Sequence, residues 1–362
     1  MLPKNKNNHI LIGIILLLLT PISNYAQKIN GMSFSGPGEP TLTQTMFEDI
    51  KTSNADWVAL IPQVTLNRYT ITLLEDTDDG RWSETIEANI QAIQLAKKAG
   101  LKVFLKPHLV LGKFKSETDF KSTRLVSHSN PPLVDKTKGA EWRGTLSFKN
   151  EQDWQQLEQE YEAYILKLAK VAAILEVDLF SVGTELKEFA TKRPQYWKQL
   201  IQQVRKIYTG PITYAANWDE YNKINFWQNL DYIGVDTYFP VSRAKTPDVK
   251  KTIKNWRSIQ KQLRKLSKSQ DRPILLTEFG YRNVSYAGKR PWTHDKGEAI
   301  PTNYQAQVNL LEAFFQTFWK KSWVAGGFSW KWFAHPKSGK DTTFSVQGKP
   351  ALKVVQQWYG QE

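Results

Sequence analysis

The stretch PILLTEFGY (Pro273–Tyr281), a short apolar run that ends in a glutamate, carries the prediction of the fold. Its apolar residues predict a strand buried on both faces, which is typical of a parallel sheet. Glu278 stands at the C-terminal end of the run, where a buried strand should not carry a charge without a reason. A second stretch, LFSVGTEL (Leu179–Leu186), has the same design and ends with Glu185. The two stretches predict parallel strands whose ends each present a carboxylate.

Short runs of this kind alternate with long helical patterns, which predicts a parallel sheet covered by helices. The eight candidate strands are Ile29–Phe34, Trp57–Pro62, Leu101–His108, Leu179–Leu186, Ile212–Trp218, Tyr232–Pro240, Pro273–Tyr281 and Gly326–Phe333. Eight successive β-then-α units predict an α/β fold, a single closed (β/α)8 barrel or TIM barrel. The alternative is an open doubly wound sheet, but its glycine-rich phosphate turn does not match Gly36-Pro37-Gly38.

Capping residues and helix breakers set the expected bounds of the helices. Ser83 is expected to cap a helix over Glu84–Ala99 that Gly100 ends, and Asn150 to cap a helix that runs through Leu175. Further helices are expected over Gln195–Tyr208 after Pro194, Lys250–Lys268, Gln305–Trp319 and from Pro350 to Trp358, and Asp219–Asn229 is left undecided.

The N-terminal segment resembles a signal peptide. Lys4 and Lys6 precede an apolar run, Ile10–Leu19, that is too short for a comfortable membrane span, and Ala26 offers a small residue for cleavage before Gln27. We therefore expect residues 1–26 to be removed and residues 27–362 to form the catalytic domain. The mature protein is expected to be exported, periplasmic or extracellular, and without a membrane anchor; an uncleaved anchor is the alternative.

Composition excludes several classes of function. The chain has 362 residues and no cysteine, so disulfides, a lipid-modified cysteine and thiolate metal sites are impossible. The net charge of +14 is spread along the chain except on Lys250–Lys268, where an apolar stripe opposes a basic face. A solvated outer helix explains that face, so no nucleic-acid partner is expected. The five histidines show no metal-binding spacing, so neither a metal nor a cofactor is expected. We expect a monomer.

In a barrel of this type, catalytic groups lie at the C-terminal ends of the strands. Glu185 ends the fourth predicted strand and Glu278 the seventh, so the two carboxylates should face each other across the mouth. Such a pair performs glycoside hydrolysis, with retention at a separation of about 5–5.5 Å and inversion at about 6.5–9.5 Å. Tyr238 and Arg282 are expected to favour the charged form of Glu278. For either glutamate alone, a structural ion pair is the alternative.

With these residues in place, the sequence resembles glycoside hydrolase family 113, known for β-mannanases, within the clan of retaining (β/α)8 glycosidases. The resemblance covers about Ile29 to Tyr359. The motifs that carry it are Val182-Gly183-Thr184-Glu185-Leu186, Trp142-Arg143-Gly144, Lys106-Pro107-His108 and Leu276-Thr277-Glu278-Phe279-Gly280-Tyr281.

The resemblance implies that Glu185 is the acid/base, that Glu278 is the nucleophile and that the substrate is a β-linked oligosaccharide or polysaccharide, foremost β-1,4-mannan. Another β-glycan remains an alternative. The chain departs from the clan at Thr184, since most members place an asparagine directly before the acid/base to bind the sugar 2-hydroxyl. Asn217, on the fifth strand, is a candidate substitute for that contact.

Fourteen tryptophans are many for this length, and exposed tryptophans in exported proteins often stack on sugar rings. Trp330 is expected beneath the sugar next to the scissile bond, and Trp218 and Trp142 at neighbouring subsites; core packing is the alternative for each. His108 and Lys106 are candidates to bind sugar hydroxyls, and Arg143 belongs to the long loop Val110–Phe148 that should wall the cleft. Asp236 is assigned no catalytic role. A carbohydrate-binding barrel without activity is the alternative outside enzymes.

Overall fold

The computed structural model describes residues 27–75, 82–112, 142–293, 300–336 and 341–361. The predicted signal peptide, and most of the Val110–Phe148 loop, lie outside the described residues. No helix within the described ranges is long and apolar enough to cross a membrane.

Eight parallel strands close into a barrel in which each strand pairs with the next along the chain and the last pairs with the first. The barrel strands are β1 (Ile29–Ser35), β2 (Trp57–Leu60), β5 (Lys102–Leu105), β7 (Leu179–Thr184), β8 (Ile212–Asn217), β9 (Ile233–Asp236), β10 (Ile274–Phe279) and β11 (Val324–Phe333). The predicted (β/α)8 barrel is confirmed, with one strand in each of the eight predicted stretches. Glu185 directly follows β7 and Glu278 lies in β10, the fourth and seventh barrel strands.

A second, three-stranded sheet lies beside the barrel and was not predicted. It consists of β3 (Gln63–Asn67), β4 (Thr72–Leu74) and β6 (His108–Leu111). The predicted strands Trp57–Pro62 and Leu101–His108 therefore each end early, before Pro62 and before Pro107. Proline has no N–H to donate to a ladder, so the chain leaves the barrel there and begins new pairing directly afterwards.

Helices cover the outside of the barrel. Their bounds are α1 (Gln44–Lys51), α2 (Ile86–Lys98), α3 (Glu151–Ile174), α4 (Lys187–Lys192), α5 (Pro194–Ile207), α6 (Val249–Gln270), α7 (Tyr304–Phe318) and α8 (Ala351–Tyr359). The sequence analysis missed α1 and α4. It placed one cap wrongly, because Thr85 and not Ser83 accepts the bond from the Ala88 N–H at the start of α2. The Asn150 cap of α3 is confirmed. The undecided segment Asp219–Asn229 contains only a 3-10 turn, Trp227–Asn229.

The core has two layers. Inside the barrel, away from the site, one small cluster fills the space between strands: Ile29, Ala59, Phe104, Leu179, Leu275 and Phe328. A larger cluster lies between the strands and the helices. The predicted stripe on α6 belongs to it, since Trp256 and Leu263 are fully buried, while basic residues of that helix, such as Lys254 and Lys261, are exposed. That basic face is therefore a solvated surface, as expected.

Candidate active site

Both glutamates lie in one cavity at the C-terminal end of the barrel, with a volume of about 780 Å³. Its walls come from residues that follow most of the strands, which is the usual place for a site in this fold. Aromatic side chains provide much of the wall, among them Phe34, Trp142, Trp218 and Trp330. The wall combines these aromatic faces with polar side chains such as His108, Asn217 and Asp219, a combination that suits the apolar faces and hydroxyl groups of a sugar chain.

Glu278 is surrounded by donors. The Lys106 ammonium pairs with its Oε1, and the Tyr238 hydroxyl donates to its Oε2 over 2.8 Å. Lys106 is fully buried, so this pair is shielded from water. A cation and a hydroxyl donor complement a negative charge on Glu278, which is what a carboxylate nucleophile requires.

The local sequence explains why Glu278 is held so firmly. Phe279, on the opposite face of β10, stacks on Phe314 of α7 with ring centroids 4.5 Å apart. Gly280 follows, and a Cβ there would lie 2.4 Å from the Trp330 carbonyl oxygen. Only glycine permits this approach of the seventh and eighth strands, which brings Trp330 beside the nucleophile. In the Thr-Glu-Phe-Gly motif, Glu278 therefore supplies the charge, Phe279 the packing and Gly280 the close backbone contact.

Glu185 has a different environment. Burial raises the pKa of its carboxyl, and the charge of Glu278 adds to the rise, whereas the Arg143 cation and the bond from the Trp142 indole act against it. That bond joins Trp142 Nε1 to Glu185 Oε2 over 3.3 Å. A carboxyl group that keeps its proton near neutral pH is suited to protonate a leaving oxygen.

The backbone at Glu185 is unusual, because its φ of 56° lies in the left-handed region, where residues other than glycine are uncommon. The Tyr214 hydroxyl accepts a bond from the Leu186 N–H over 2.8 Å, directly after this turn. The same hydroxyl donates to Glu220 Oε1 over 2.8 Å. Tyr214 and Glu220 thus tether the peptide that follows Glu185, as expected where surrounding contacts fix a strained residue.

Glu220 itself is fully buried, and burial raises its pKa to about 8 although the Tyr214 bond acts against the rise. Burial also raises the pKa of Asp236 well above its usual range, and the neighbouring Glu278 charge adds to that effect. Asp236 Oδ1 accepts a bond from the Thr277 hydroxyl over 2.6 Å. Both acids lie behind the cavity wall and outside its lining, so they support the site without facing the substrate.

His108 and Trp330 form a second wall near the nucleophile. Their rings are nearly parallel at 14° with centroids 6.4 Å apart. Burial lowers the pKa of His108 well below its usual range, and the cations Arg143, Lys106 and Lys331 lower it further. The imidazole is therefore neutral, and its distance of 3.7 Å to Glu278 is not an ion pair. Its Nε2 is buried and has no hydrogen-bond partner among the described residues.

Most of the predicted site residues line the cavity, namely Glu185, Glu278, Trp330, Tyr238, Asn217, Trp218, His108, Trp142 and Arg143. Three others do not line it. Lys106 lies beneath Glu278 and pairs with its carboxylate rather than with sugar hydroxyls. The Thr184 hydroxyl donates to the Pro107 carbonyl over 3.0 Å. Arg282 donates through Nε to the Thr342 carbonyl over 2.8 Å, so the expected cation at Glu278 is Lys106 instead.

Thr184 therefore cannot take over the sugar contact of the clan asparagine, because its hydroxyl is buried and turned to the neighbouring strand. Asn217 does line the cavity, and its amide donates to Asp219 over 3.0 Å. The sequence analysis missed several lining residues: Phe34, Asp219, Trp292, Lys331 and Phe344. Asp219 and Lys331 directly follow predicted site residues and could have been found by extending each strand end by one position.

Within the described ranges, no group of three or more histidine, aspartate and glutamate side chains could hold a metal ion. The cavity presents two carboxyl groups in different surroundings: burial raises the pKa of Glu185, whereas Glu278 is paired with a buried ammonium. A (β/α)8 barrel with such a pair at the ends of its fourth and seventh strands defines a glycosidase site.

The comparisons agree with this class. The model of Glycoside Hydrolase Family 113 matches residues 130–349, more than half of the chain, and the protein belongs to that family. It is therefore a glycoside hydrolase, and the alternative of a binding barrel without activity is set aside. Membership also implies a β-linked glycan as the substrate.

Among solved structures, the chain is similar to the GH113 beta-mannanase AaManA from Alicyclobacillus acidocaldarius, in complex with ManMIm. The identity is 22%, the match covers 93% of this chain and 99% of the other, and the TM-score is 0.73. A GH113 beta-1,4-mannanase gives 22% identity, coverage of 93% and 100%, and a TM-score of 0.72. A Ruminococcus gnavus beta-glucuronidase gives 14% identity over 92% of this chain, but only 50% of its own, with a TM-score of 0.57. No curated protein sequence matched the chain.

Proposed function

We propose that the protein is an exported retaining glycosidase that cleaves β-1,4-mannan or its oligosaccharides through two displacements, with Glu278 as the nucleophile and Glu185 as the acid/base. The observation that carries the proposal is the contrast between the two carboxyl groups. Burial raises the pKa of Glu185, while Glu278 is paired with Lys106 and bonded by Tyr238. The similar GH113 structures are those of β-mannanases, which favours mannan among β-glycans.

In the first displacement, Glu278 attacks the anomeric carbon while Glu185 gives its proton to the leaving oxygen, and a covalent glycosyl-enzyme forms. In the second, Glu185 takes a proton from water, which attacks the same carbon and releases Glu278. In this step negative charge returns to Glu278, and Lys106 and Tyr238 stabilise it. His108 Nε2 and Asn217 supply polar contacts to the sugar, and Trp330 supports its apolar face.

The test is to incubate the purified protein with mannan, glucomannan, xylan, cellulose and short β-linked oligosaccharides, and to follow the anomer first released from mannan by NMR. Cleavage of mannan above the other glycans, with β product formed first, is the expected result. Preferential cleavage of xylan or cellulose would contradict the substrate, and initial α product would contradict retention.

We also propose that residues 1–26 are a cleaved signal peptide, on the basis of the basic residues, the apolar run and the small residue Ala26 before Gln27. N-terminal sequencing of protein from the exported fraction should start near Gln27. An intact Met1 on a membrane-bound form would show an uncleaved anchor instead.

A further inference from the structure

Two tryptophans form a pair at the edge of the cavity, and only one of them, Trp218, was predicted to lie there. Trp218 and Trp292 stack with ring centroids 5.1 Å apart and planes at 21°, and both line the cavity. Trp218 follows β8 and packs edge-on against Phe239, with centroids 5.8 Å apart. The pair is thus anchored to the barrel at one end and open to the cleft at the other.

The exposure of Trp292 is uncommon for its size. Thirty-nine per cent of its surface is exposed, and only three other large apolar side chains among the described residues are exposed: Tyr69, Ile174 and Tyr286. A single exposed apolar side chain is ordinary. Trp292 differs from those three because it lines the cavity and stacks on a second tryptophan. An indole face held at a cleft is a surface on which a flat ligand can pack.

The segment that carries Trp292 is fastened to the barrel. The N–H groups of Val241 and Ser242 donate to the Gly288 carbonyl over 2.9 and 3.0 Å. Closer to the ring, the Thr293 N–H and hydroxyl both donate to the Arg290 carbonyl, over 3.1 and 3.0 Å. The indole is thus presented by a fixed backbone, which lowers the cost of ordering it when a ligand binds.

Contacts place this pair on the side of Glu185. Trp142 donates to Glu185, and the Lys187 ammonium lies 5.8 Å above the Trp142 ring. Lys187 also pairs with Asp219 over 2.7 Å. Asp219 is the residue directly after Trp218, so a continuous wall leads from the acid/base to the aromatic pair.

Trp330 belongs to the opposite side. Lys106, the partner of Glu278, lies 5.5 Å above the Trp330 ring. In the proposed mechanism the sugar that becomes covalently attached lies next to Glu278, and the sugar that leaves lies next to Glu185. Two aromatic surfaces on opposite sides of the two carboxyl groups therefore correspond to the two sides of the scissile bond.

We infer that Trp218 and Trp292 form a subsite for a neutral pyranose on the leaving-group side of the scissile bond. The rings pack against the apolar face of the sugar, and the neighbouring Asp219 and Asn217 offer polar contacts at its edge. This inference rests on the proposed function and adds to it where the departing part of the chain is bound.

A leaving-group subsite has a second consequence, because it also binds acceptors. When a sugar hydroxyl replaces water, its oxygen attacks the anomeric carbon and the bond from that carbon to Glu278 breaks. Glu185 takes the hydroxyl proton, and a new glycosidic bond forms. The subsite therefore governs how the glycosyl-enzyme divides between water and a sugar acceptor.

The first experiment compares wild type, Trp292→Ala and Trp292→Phe on mannooligosaccharides of increasing length and on an activated aryl β-mannoside. Trp292→Ala should lower kcat/KM on the longer chains by about tenfold relative to its effect on the aryl mannoside. Trp292→Phe should retain most of the activity. Tyr286→Ala is the matched control, since Tyr286 is exposed on the same segment but does not line the cavity; it should change neither rate.

The second experiment supplies the aryl mannoside as donor and mannobiose as acceptor. Trp292→Ala should shift the products from transfer towards hydrolysis, whereas a subsite on the Glu278 side would leave this partition unchanged and contradict the inference. If wild type cleaves mannan but Trp292→Ala behaves like wild type at every chain length, the subsite is wrong and the proposed function stands. If wild type cleaves no mannan, both fail.

Discussion

The two glutamates of the site are chemically identical and end matching strands, yet their neighbours differ in kind. Glu278 contacts a buried ammonium and a phenolic hydroxyl. Glu185 contacts one indole N–H, and burial is the main cause of its raised pKa. The Arg143 cation acts against this rise without cancelling it, whereas the ammonium of Lys106 pairs directly with Glu278. The two carboxyl groups therefore differ because of the residues around them, not because of their own chemistry.

The backbone differs between the two sides as well. Glu278 lies within β10, at an irregularity in the pairing of that strand, with Thr277 bonded to Asp236 beside it. Glu185 lies one residue past its strand, at a φ of 56°, and its peptide is tethered by Tyr214 and Glu220. The two carboxyl groups are thus positioned by different backbone structures. Substitutions at the two sides should consequently have different kinetic signatures.

The largest expected effect is at the nucleophile. Glu278→Ala should lower kcat by about 10⁴-fold or more on both mannooligosaccharides and an activated aryl mannoside, because no covalent intermediate can form. Steady-state kinetics on the two substrates measure it, with a thermal melt to show that the variant is folded. A loss confined to the natural substrate would assign Glu278 the acid/base role.

Removing the cation beside Glu278 should have the next largest effect. Lys106→Met keeps much of the side-chain volume but leaves the carboxylate without its charge partner. We expect kcat/KM to fall on the order of 10²-fold on both substrates. Lys98→Met, on the exposed end of α2, is the control. A Lys106→Met variant as active as wild type would contradict the assignment of Lys106.

The corresponding cation on the other side is Arg143, which acts against the rise in the pKa of Glu185. Arg143→Met should therefore raise this pKa further and move the alkaline limb of the pH–rate profile to higher pH. An alkaline limb that stayed in place or moved to lower pH would contradict the assignment of Arg143.

Much of this molecule is predictable from its sequence. The barrel is predicted by eight apolar runs. Both glutamates were identified because a charged residue at the end of a buried strand is costly unless it has a partner or a function. The breaks before Pro62 and Pro107 were also open to prediction from the lost N–H groups. These features depend on residue type and local spacing alone.

Other features depend on contacts between distant segments, so no local pattern in the sequence predicts them. Trp292 reaches the cavity only because its segment is bonded to Val241 and Ser242. Tyr214 on β8 links Glu220 to the peptide that follows β7, because its hydroxyl donates to Glu220 and accepts a bond from the Leu186 N–H. Arg282 follows Glu278 closely in the sequence and was expected to favour its charged form, but its Nε donates to the Thr342 carbonyl.

The smallest expected effect is at the tether behind Glu185. In the folded protein the pKa of Glu220 is about 8, above the usual value of 4.5 for a glutamate, so its contribution to stability is present at low pH and lost as the pH rises through 8. Glutamine does not titrate, so the variant Glu220→Gln should not lose stability in this way. The melting temperature of the variant minus that of wild type should therefore increase from about pH 5 to about pH 9. Glu87→Gln on exposed α2 should show no such trend. A difference that stayed constant with pH would contradict the buried, protonated Glu220.

The stereochemistry of azide rescue tests the assigned roles most directly. Glu185→Ala should lose far more activity on mannooligosaccharides than on an activated aryl mannoside, since the latter needs little protonation. Azide should restore it and give the β-glycosyl azide, because the anion attacks a glycosyl-enzyme that Glu278 has already formed. Azide with Glu278→Ala should give the α product by direct displacement. If Glu185→Ala gave the α product, and lost equal activity on both substrates, the two roles would have to be exchanged.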